Sequence, residues 1–220
     1  AIVSHELKSP LGAVQQNLFV LEDELSDKLS EEQKSKIERM KVKINDLINL
    51  IHTWLRVISV DVKKLQENFK PASIAIVISK AIENVQPHAN RKDIELVSSV
   101  QEPLSLVNGD EGTLVEVLGN ILGNGIKFSR VGSRITIKAE EKESGLFISI
   151  TDTGIGVSKE DLPYIFEDFY TGNTGPVVEK SSGLGLAISK RIIEAHNGSI
   201  SVESELGKGT IVTICLPVQS

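Results

Sequence analysis

Leu146-Phe147-Ile148-Ser149-Ile150-Thr151-Asp152-Thr153-Gly154-Ile155-Gly156 is the stretch whose reading decides the fold of the larger part of this chain. Leu146, Ile148 and Ile150 alternate with polar or less buried positions, the period of a half-buried strand. Asp152 continues that register, so parity aims its carboxylate into the layer between a sheet and whatever covers it. Two glycines follow directly, where a strand gives way to a loop. A buried carboxylate requires a donor, and none is evident nearby in sequence. Two readings stand: an acceptor for a ligand amine, or an aspartate capped by backbone at a turn.

Working outward, Arg134–Glu140 alternates with Ile135 and Ile137 on one face, and Glu143-Ser144-Gly145 turns it into Leu146–Asp152. Pro71 and Ser73 open an apolar helix from Ile74 to about Ala89, with His88 in its last turn, where the helix dipole favours it. Strands are expected at Ile94–Val100 and Leu104–Val107, then a helix from about Glu111 to Phe128. A short helix is expected near Lys159–Ile165 and a longer one from Leu184 to His196, ended by Asn197-Gly198. Ser199–Glu203 and Thr210–Leu216 read as closing strands joined by the tight Glu205–Gly209 loop. Cys215, inside the last strand, reads as core. The sum is an antiparallel or mixed sheet with helices on one face, an α+β sandwich.

Within the helix at 111–128, Asn120, Asn124 and Lys127 stand at i, i+4 and i+7. They form one polar stripe opposite Leu114, Val117, Leu118, Ile121 and Ile126. An amide oxygen can ligand Mg²⁺ and a lysine can neutralise phosphate; a solvated face explains such a stripe equally well. Gly183 and Gly185, in Ser182-Gly183-Leu184-Gly185-Leu186, open a helix whose backbone N–H groups suit phosphate. Neither glycine run is the G-x-G-x-x-G of a dinucleotide site or the G-x-x-x-x-G-K of a P-loop.

Residues 1–70 follow a different rule. Leu7, Leu11, Val14, Leu18, Leu21 and Leu25 are spaced four and three apart. So are Ile37, Met40, Ile44, Leu47, Ile51, Trp54, Ile58, Val62 and Leu65. These are heptad seams of two helices packed at a shallow angle. Ser30 followed by Gln33 supplies a capping box between them. Phe19, Ile48, Leu50, Leu55 and Val57 widen the stripe beyond what one partner helix covers. Either a second copy completes a four-helix bundle, or the rest of the chain covers the surplus. His5 lies beside the first seam, one turn from Ser9 and Gly12, and reads as solvent-exposed. Pro10, inside the helix, crowds the carbonyl of Glu6. His52, off the second seam, reads as a surface residue, and His196 as a helix C-terminal one.

Composition agrees with two architectures. Of 17 glycines only Gly12 precedes residue 109, and 58 residues between Gly12 and Pro71 hold neither glycine nor proline. In the first 70 residues 11 basic and 11 acidic side chains cancel, so the whole net charge of −6 lies in residues 71–220. Hydrophobic content of 40% and charged content of 25% exclude intrinsic disorder. No apolar run approaches the ~18 residues that span a bilayer. One cysteine forms no internal disulfide and no cysteine cluster for a metal. The acidic balance argues against broad nucleic-acid binding. Starting at Ala1-Ile2-Val3, without methionine, the chain reads as a piece of a longer protein.

Taken together, these pieces resemble the catalytic core of a sensor histidine kinase of two-component signalling. Ser4-His5-Glu6-Leu7-Lys8-Ser9-Pro10-Leu11 looks like its phosphoacceptor box, and Asn120-Ile121-Leu122-Gly123-Asn124-Gly125-Ile126-Lys127-Phe128-Ser129 like its asparagine box. Asp152–Gly156, Phe166-Glu167-Asp168-Phe169-Tyr170, Gly183–Leu186 and Gly207-Lys208-Gly209-Thr210 look like the remaining nucleotide boxes. The resemblance implies residues 1–68 as a dimerisation and histidine phosphotransfer hairpin, forming a dimeric four-helix bundle. It implies 69–220 as an α/β sandwich ATP-binding domain of the gyrase and histidine kinase type. His5 becomes the nucleophile on ATP, Glu6 the group taking its proton, and Ser9 a hydroxyl one turn on. Asn124 becomes the Mg²⁺ ligand and Asp152 the acceptor for the adenine amine. Asn120, Lys127, Phe128, Gly154, Gly156, Tyr170, Ser182, Gly183, Leu184, Gly185 and Thr210 complete the nucleotide contacts. Residues between Tyr170 and Ser182 become a lid over the phosphates, and a hinge near 66–72 lets the two domains meet.

The implied cofactors are ATP and Mg²⁺. The implied partners are a second copy, through residues 1–68, and a response-regulator receiver domain, with no nucleic acid and no membrane contact by this piece. A cytoplasmic location is implied for this piece of a longer sensor, with membrane attachment of the whole left open. Three positions depart from the pattern. Thr171 stands where an arginine follows the aromatic pair, and Arg130 or Lys180 is the expected substitute. Ser9 stands where threonine or asparagine is common, which leaves phosphatase activity on the partner open. Ser181 replaces a third glycine. Gyrase-type ATPases share the nucleotide fold but place a water-activating glutamate four residues before the Mg²⁺-binding asparagine. Here that position is Asn120, which cannot act as a base.

Overall fold

The computed structural model describes residues 2–25, 28–59, 62–172 and 183–218; the side chains of residues 2–9, 46, 49, 50, 52–59, 62 and 63 lie outside the description. The chain forms two compact units, Ala1–Ser59 and Val60–Ser220. The first is a helical hairpin of α1 (Ile2–Glu24) and α2 (Glu31–Ser59). The expected capping box starts α2. Gln33 N–H donates to Ser30 Oγ at 3.3 Å and Ser30 N–H donates to Gln33 Oε1 at 2.8 Å.

Packing divides each heptad seam in two. Leu11 and Leu18 on α1, Leu25 just past its end, and Ile37, Ile44 and Ile51 on α2 are covered to varying degrees. Val14, Leu21, Met40 and Leu47 are left 46–53% exposed. Lys41 latches the helices together: its Nζ lies 2.5 Å from Glu22 Oε2 on α1 and 3.2 Å from Glu38 Oε2, and 4.4 Å over the Phe19 ring. The bond to Glu22 holds the Lys41 ammonium above its ordinary pKa.

The second unit opens with α3 (Val62–Gln66), which falls on the hairpin side of the expected 68/69 boundary. It is fastened within this unit: Gln66 Nε2 donates to Ala195 O at 2.9 Å, and the Phe69 ring stacks on His196 at 4.3 Å. The chain continues through β1 (Lys70–Ala72), α4 (Ile74–Arg91), β2 (Glu95–Val100), β3 (Val107–Gly109) and α5 (Glu111–Phe128). It ends with β4 (Arg134–Lys142), β5 (Gly145–Asp152), a 3₁₀ turn (Leu162–Tyr164), α6 (Gly185–Ala195), β6 (Ser199–Glu205) and β7 (Gly209–Leu216). The main sheet runs β2-β4-β5-β7-β6, with β2 and β4 parallel and the other pairs antiparallel. A mixed sheet is therefore observed.

Three local expectations need correction. The strand expected at 104–107 begins only at Val107, because the Glu141 carboxylate ties down both Ser105 N–H (2.7 Å) and Ser105 Oγ (2.8 Å). Val107–Gly109 instead pairs with Lys70–Ala72, a short strand the alternation was too brief to reveal. The helix expected at 159–165 shrinks to the 3₁₀ turn, with Pro163 inside it. Cys215 is not core: Val212, Ile214 and Leu216 take the buried face of β7, so parity turns Cys215 to the opposite, half-exposed face.

The core lies between one face of the sheet and helices α4, α5 and α6. Ile74, Leu118, Leu122, Ile188, Ile192 and Ile193 from the helices meet Ile135, Ile137, Leu146, Ile148 and Ile214, all below 2–3% exposure. Each such side chain contributes about 1.5–3 kcal/mol by leaving water.

Candidate functional site

Three elements converge at the end of β5. Gly125 on α5 is buried, and a side chain there would come within 3.7 Å of Asp152 Cβ and 3.1 Å of Ile135 Cδ1. α5 therefore crosses the sheet close to its surface at this point, one residue after Asn124. On the other side, Asp152 pairs in register with Thr210 of β7. The donor the carboxylate needs is two residues away: Gly154 N–H donates to Asp152 Oδ1 at 2.8 Å, with a second bond from the Thr210 backbone. This is an Asx turn. Burial nonetheless dominates and raises the Asp152 carboxyl above its ordinary pKa.

Protein backbone dictates the glycines of the following loop. A side chain on Gly154 would stand 2.7 Å from Phe128 O; on Gly156, with φ +69°, it would stand 2.1 Å from Glu205 O. Ile155 is held at both ends, its N–H donating to Phe128 O (3.2 Å) and its carbonyl accepting from Gly207 N–H (2.7 Å). Ser204 completes the tie. Its Oγ accepts from Val157 N–H at 2.8 Å, donates to Gly209 O at 2.7 Å, and lies 2.9 Å from Thr210 Oγ1. The loop after Asp152 and the β6–β7 turn are thus one braced unit.

Along α5, Asn120, Asn124 and Lys127 are partly exposed opposite the buried Leu114, Val117, Leu118 and Ile121. Lys127 Nζ lies 5.3 Å above the Phe128 ring. The start of α6 comes down on this stripe: a side chain on Gly185 would reach within 3.8 Å of Asn120 Cγ. Leu184 is fully buried and anchors that helix start in the core. Gly183, at φ +69°, crosses the backbone of Phe169 and Tyr170 too closely for any side chain. Gly125 and Thr210 thus flank Asp152, and Gly185 comes near Asn120, while Asn124, Lys127 and Phe128 lie on the same helix as Asn120. No cluster of His, Cys, Asp and Glu able to hold a metal occurs among the described residues.

His5, Glu6 and Ser9 lie on α1, whose helix runs through Pro10, but their side chains are outside the description. Ser182 is outside it too, as are Asn173, Pro176, Lys180, Ser181 and the hairpin-loop residues Ser26 and Asp27; so is the side chain of His52. Arg130 is exposed after the end of α5.

Two residues that shape the site were not found by sequence reasoning. Lys92 Nζ donates to the carbonyls of Ile126 (2.9 Å) and Lys127 (2.5 Å), capping the end of α5. His196, read as an ordinary helix end, is 2% exposed: its Nε2 accepts from Asp110 N–H at 3.0 Å and its Nδ1–H donates to Ile192 O at 2.7 Å. Desolvation lowers its pKa and keeps it neutral. The Lys92 contacts and the His196–Asp110 bond span 34 to 86 residues, and no motif announces them.

Residues 109–220, half of the chain, match the family of histidine kinase-, DNA gyrase B- and HSP90-like ATPases, so the chain belongs to that family. Residues 1–61 match the His kinase A phospho-acceptor domain. With both domains in this order, the chain is the catalytic core of a histidine kinase. It is 31% identical to the sensor-like histidine kinase SenX3 of Mycobacterium tuberculosis, over 99% of this chain and 52% of that protein. It is equally 31% identical to the sensor histidine kinase WalK of Bacillus subtilis, over 99% of this chain and 36% of that one. The crystal structure of full-length ShkA in complex with AMPPNP superposes with a TM-score of 0.79 at 29% identity, covering 100% of this chain and 45% of ShkA. The chain spans about half or less of the length of these relatives. Among the described residues, no helix is long and apolar enough to cross a membrane.

Proposed function

We propose that the second unit binds Mg-ATP, that its γ-phosphoryl group moves to His5, and that an aspartate of a response-regulator receiver domain then accepts it. The observation that carries this reading is Asp152. It is a carboxylate lifted above its ordinary pKa by burial, set beside Gly125 and Thr210, in a chain whose first helix carries His5. One oxygen accepts from the Gly154 amide, and a carboxylate has further lone pairs for an adenine amine. The donor set fits the rest of the nucleotide. Asn124 supplies an amide oxygen for Mg²⁺, Asn120 and Lys127 line the same stripe, and Gly183, Leu184, Gly185 and Ser182 bring the start of α6 to the phosphates. Phe128, Gly154, Gly156, Tyr170 and Thr210 complete the walls. Mg²⁺, when bound, neutralises phosphate charge.

Phosphoryl transfer asks mainly for positioning and charge neutralisation. A ring nitrogen of His5 bonds the γ-phosphorus as the bond to the β,γ-bridging oxygen breaks and ADP leaves. Glu6 takes the ring proton, and Ser9 is one turn further along the same face. The uncovered half of the hairpin seam supports a second copy of the chain as the element that completes a four-helix bundle. Arg130, exposed after α5, or Lys180 takes the place of the arginine that Thr171 replaces. We place the boundary between hairpin and ATP-binding domain at 68/69. Incubation with γ-labelled ATP tests the reading. Label on the wild type that is absent from His5→Gln, and that drains to an added receiver domain, is the expected result. Label that persists in His5→Gln refutes His5 as acceptor.

A further inference from the structure

Helix α5 ends on three carbonyls that its own hydrogen bonds do not reach, and two distant parts of the chain divide them. Ser129 N–H closes the last helical bond on Gly125 O at 3.0 Å, which leaves the carbonyls of Ile126, Lys127 and Phe128. Lys92 Nζ donates to the first two, at 2.9 and 2.5 Å. The Phe128 carbonyl accepts from Ile155 N–H at 3.2 Å, in the loop that follows Asp152. The same carbonyl supports Gly154, where a side chain would stand 2.7 Å from Phe128 O. Gly154 in turn supplies the N–H that holds Asp152 Oδ1 at 2.8 Å. A continuous run of contacts therefore leads from the Lys92 ammonium to the Asp152 carboxylate.

Lys92 is itself planted firmly. It caps α4, its N–H donating to Ala89 O at 3.0 Å. Asp93 then turns the chain in the left-handed region, at φ +53°, and Ile94 N–H returns to Ala89 O at 2.9 Å. The Lys92 carbonyl accepts from Gly132 N–H at 3.3 Å, which fastens the loop after α5 to the same residue. The ammonium also faces the negative end of the α5 dipole. Ile126 is only 5% exposed, so water is a poor replacement for a donor lost there.

We propose that Lys92 is a positioning residue for the nucleotide base: by capping α5 it sets the Phe128 carbonyl and, through the turn at Gly154 and Ile155, the Asp152 carboxylate that accepts the adenine amine. This rests on the ATP-binding reading above and deepens it, because it assigns a residue to the choice of base. The donors of Lys92 are spent on backbone carbonyls rather than on the nucleotide. Its loss therefore blurs base recognition and leaves the rate at saturation unchanged.

The test compares ATP with inosine triphosphate, which carries a carbonyl where adenine carries its amine, in autophosphorylation of the 220-residue chain. The wild type is expected to prefer ATP by about tenfold or more in kcat/KM. Lys92→Met is expected to raise KM for ATP about tenfold, the scale of one charge-assisted hydrogen bond, with kcat within about twofold. Its KM for inosine triphosphate should move by no more than about twofold, so the preference shrinks. Lys92→Arg keeps cationic donors and is expected to restore most of the preference. The Lys92→Met/Asp152→Asn double variant is expected to match Asp152→Asn, since Lys92 acts through that carboxylate. An equal rise in KM for both nucleotides would make Lys92 a general support of the fold and overturn the proposal. So would a fall in kcat at unchanged KM, or additive losses in the double variant. If Lys92→Met does not fold, Lys92→Gln decides on the same ratio, and an unchanged preference there refutes the proposal. A wild type that takes label equally from both nucleotides refutes Asp152 as the amine acceptor, and the proposal with it. A wild type that takes no label refutes the kinase reading, whereas failure confined to the Lys92 variants leaves that reading intact.

Discussion

The hairpin and the ATPase unit are built from similar shares of aliphatic residues and treat them in opposite ways. In the second unit Ile137, Ile148 and Ile214, from three neighbouring strands, are all within 2% of full burial, and three helices close over them. In the first, Val14, Leu21, Met40 and Leu47 sit on the same heptad seams as the buried Ile37, yet stay about half exposed. A sheet face offers one broad surface that a single layer of helices covers. A two-helix hairpin offers each helix only one neighbour, so half of every seam is left over. One unit completes itself, and the other is written for a further partner.

Four changes sharpen or break that contrast. The largest effect is expected in the self-sufficient core. Leu118→Ala or Ile148→Ala should lower unfolding free energy by about 2–5 kcal/mol in urea titrations, because the sheet cannot collapse into the cavity. A loss under about 1 kcal/mol would mean that the core is not close-packed.

Asp152 separates function from stability inside the same unit. Its carboxyl is raised above its ordinary value by burial, so carrying the charge costs the folded chain some stability. Asp152→Asn should therefore melt no lower than the wild type, while ATP affinity falls by about 10–100-fold with the loss of a charged acceptor. A lower melting temperature with unchanged ATP affinity would make Asp152 a purely structural residue.

The seam answers to a smaller change. Leu21→Lys should raise the dimer dissociation constant by about tenfold or more in sedimentation measurements, yet leave the melting of the ATPase unit where it was. Equal association by wild type and variant would show that the exposed half of the seam is not what the second copy covers.

The smallest effect is a pH slope. His196 is neutral in the folded chain, with a pKa below its ordinary 6.5. The unfolded chain takes up the proton first as pH falls, so the stability His196 contributes is complete above about pH 6.5 and declines below it. Comparing urea midpoints at pH 7.5 and 5.5, the wild type should lose more than His196→Gln. Identical losses would mean that the ring's contacts to Asp110 and Ile192 do not select its neutral form.

How much of this was legible in the sequence depends on the range of each interaction. Periodicity placed α5 at 111–128 and the capping box at Ser30 and Gln33, because those are settled within a turn or two of helix. Alternation gave β4, β5 and β7, and the parity of Asp152 was right about its direction. Parity did not name the donor two residues on, but the second reading of Asp152, a carboxylate capped by backbone at a turn, matches the Asx turn observed. Parity was available for Cys215 as well: Ile214 and Leu216 already occupied the core face. What lay beyond reach were contacts between distant segments. Lys92 caps the end of α5 from 34 residues away, Gln66 bonds Ala195 across 129, and β1 was too short to show a period. The bond from Tyr170 Oη to Asp161 is hidden for the same reason, because nothing in a nine-residue spacing says that a tyrosine hydroxyl turns back to an acid.

The central claim is that one region carries the acceptor and the other the nucleotide, and uptake of γ-labelled phosphate by His5→Gln and Asp152→Asn, beside the wild type, tests it most directly. The account predicts acid-labile, base-stable label on the wild type, none on His5→Gln, and strongly reduced label on Asp152→Asn at sub-saturating ATP, with His5→Gln still binding ATP as the wild type does. Label on His5→Gln, or wild-type labelling of Asp152→Asn, would contradict it.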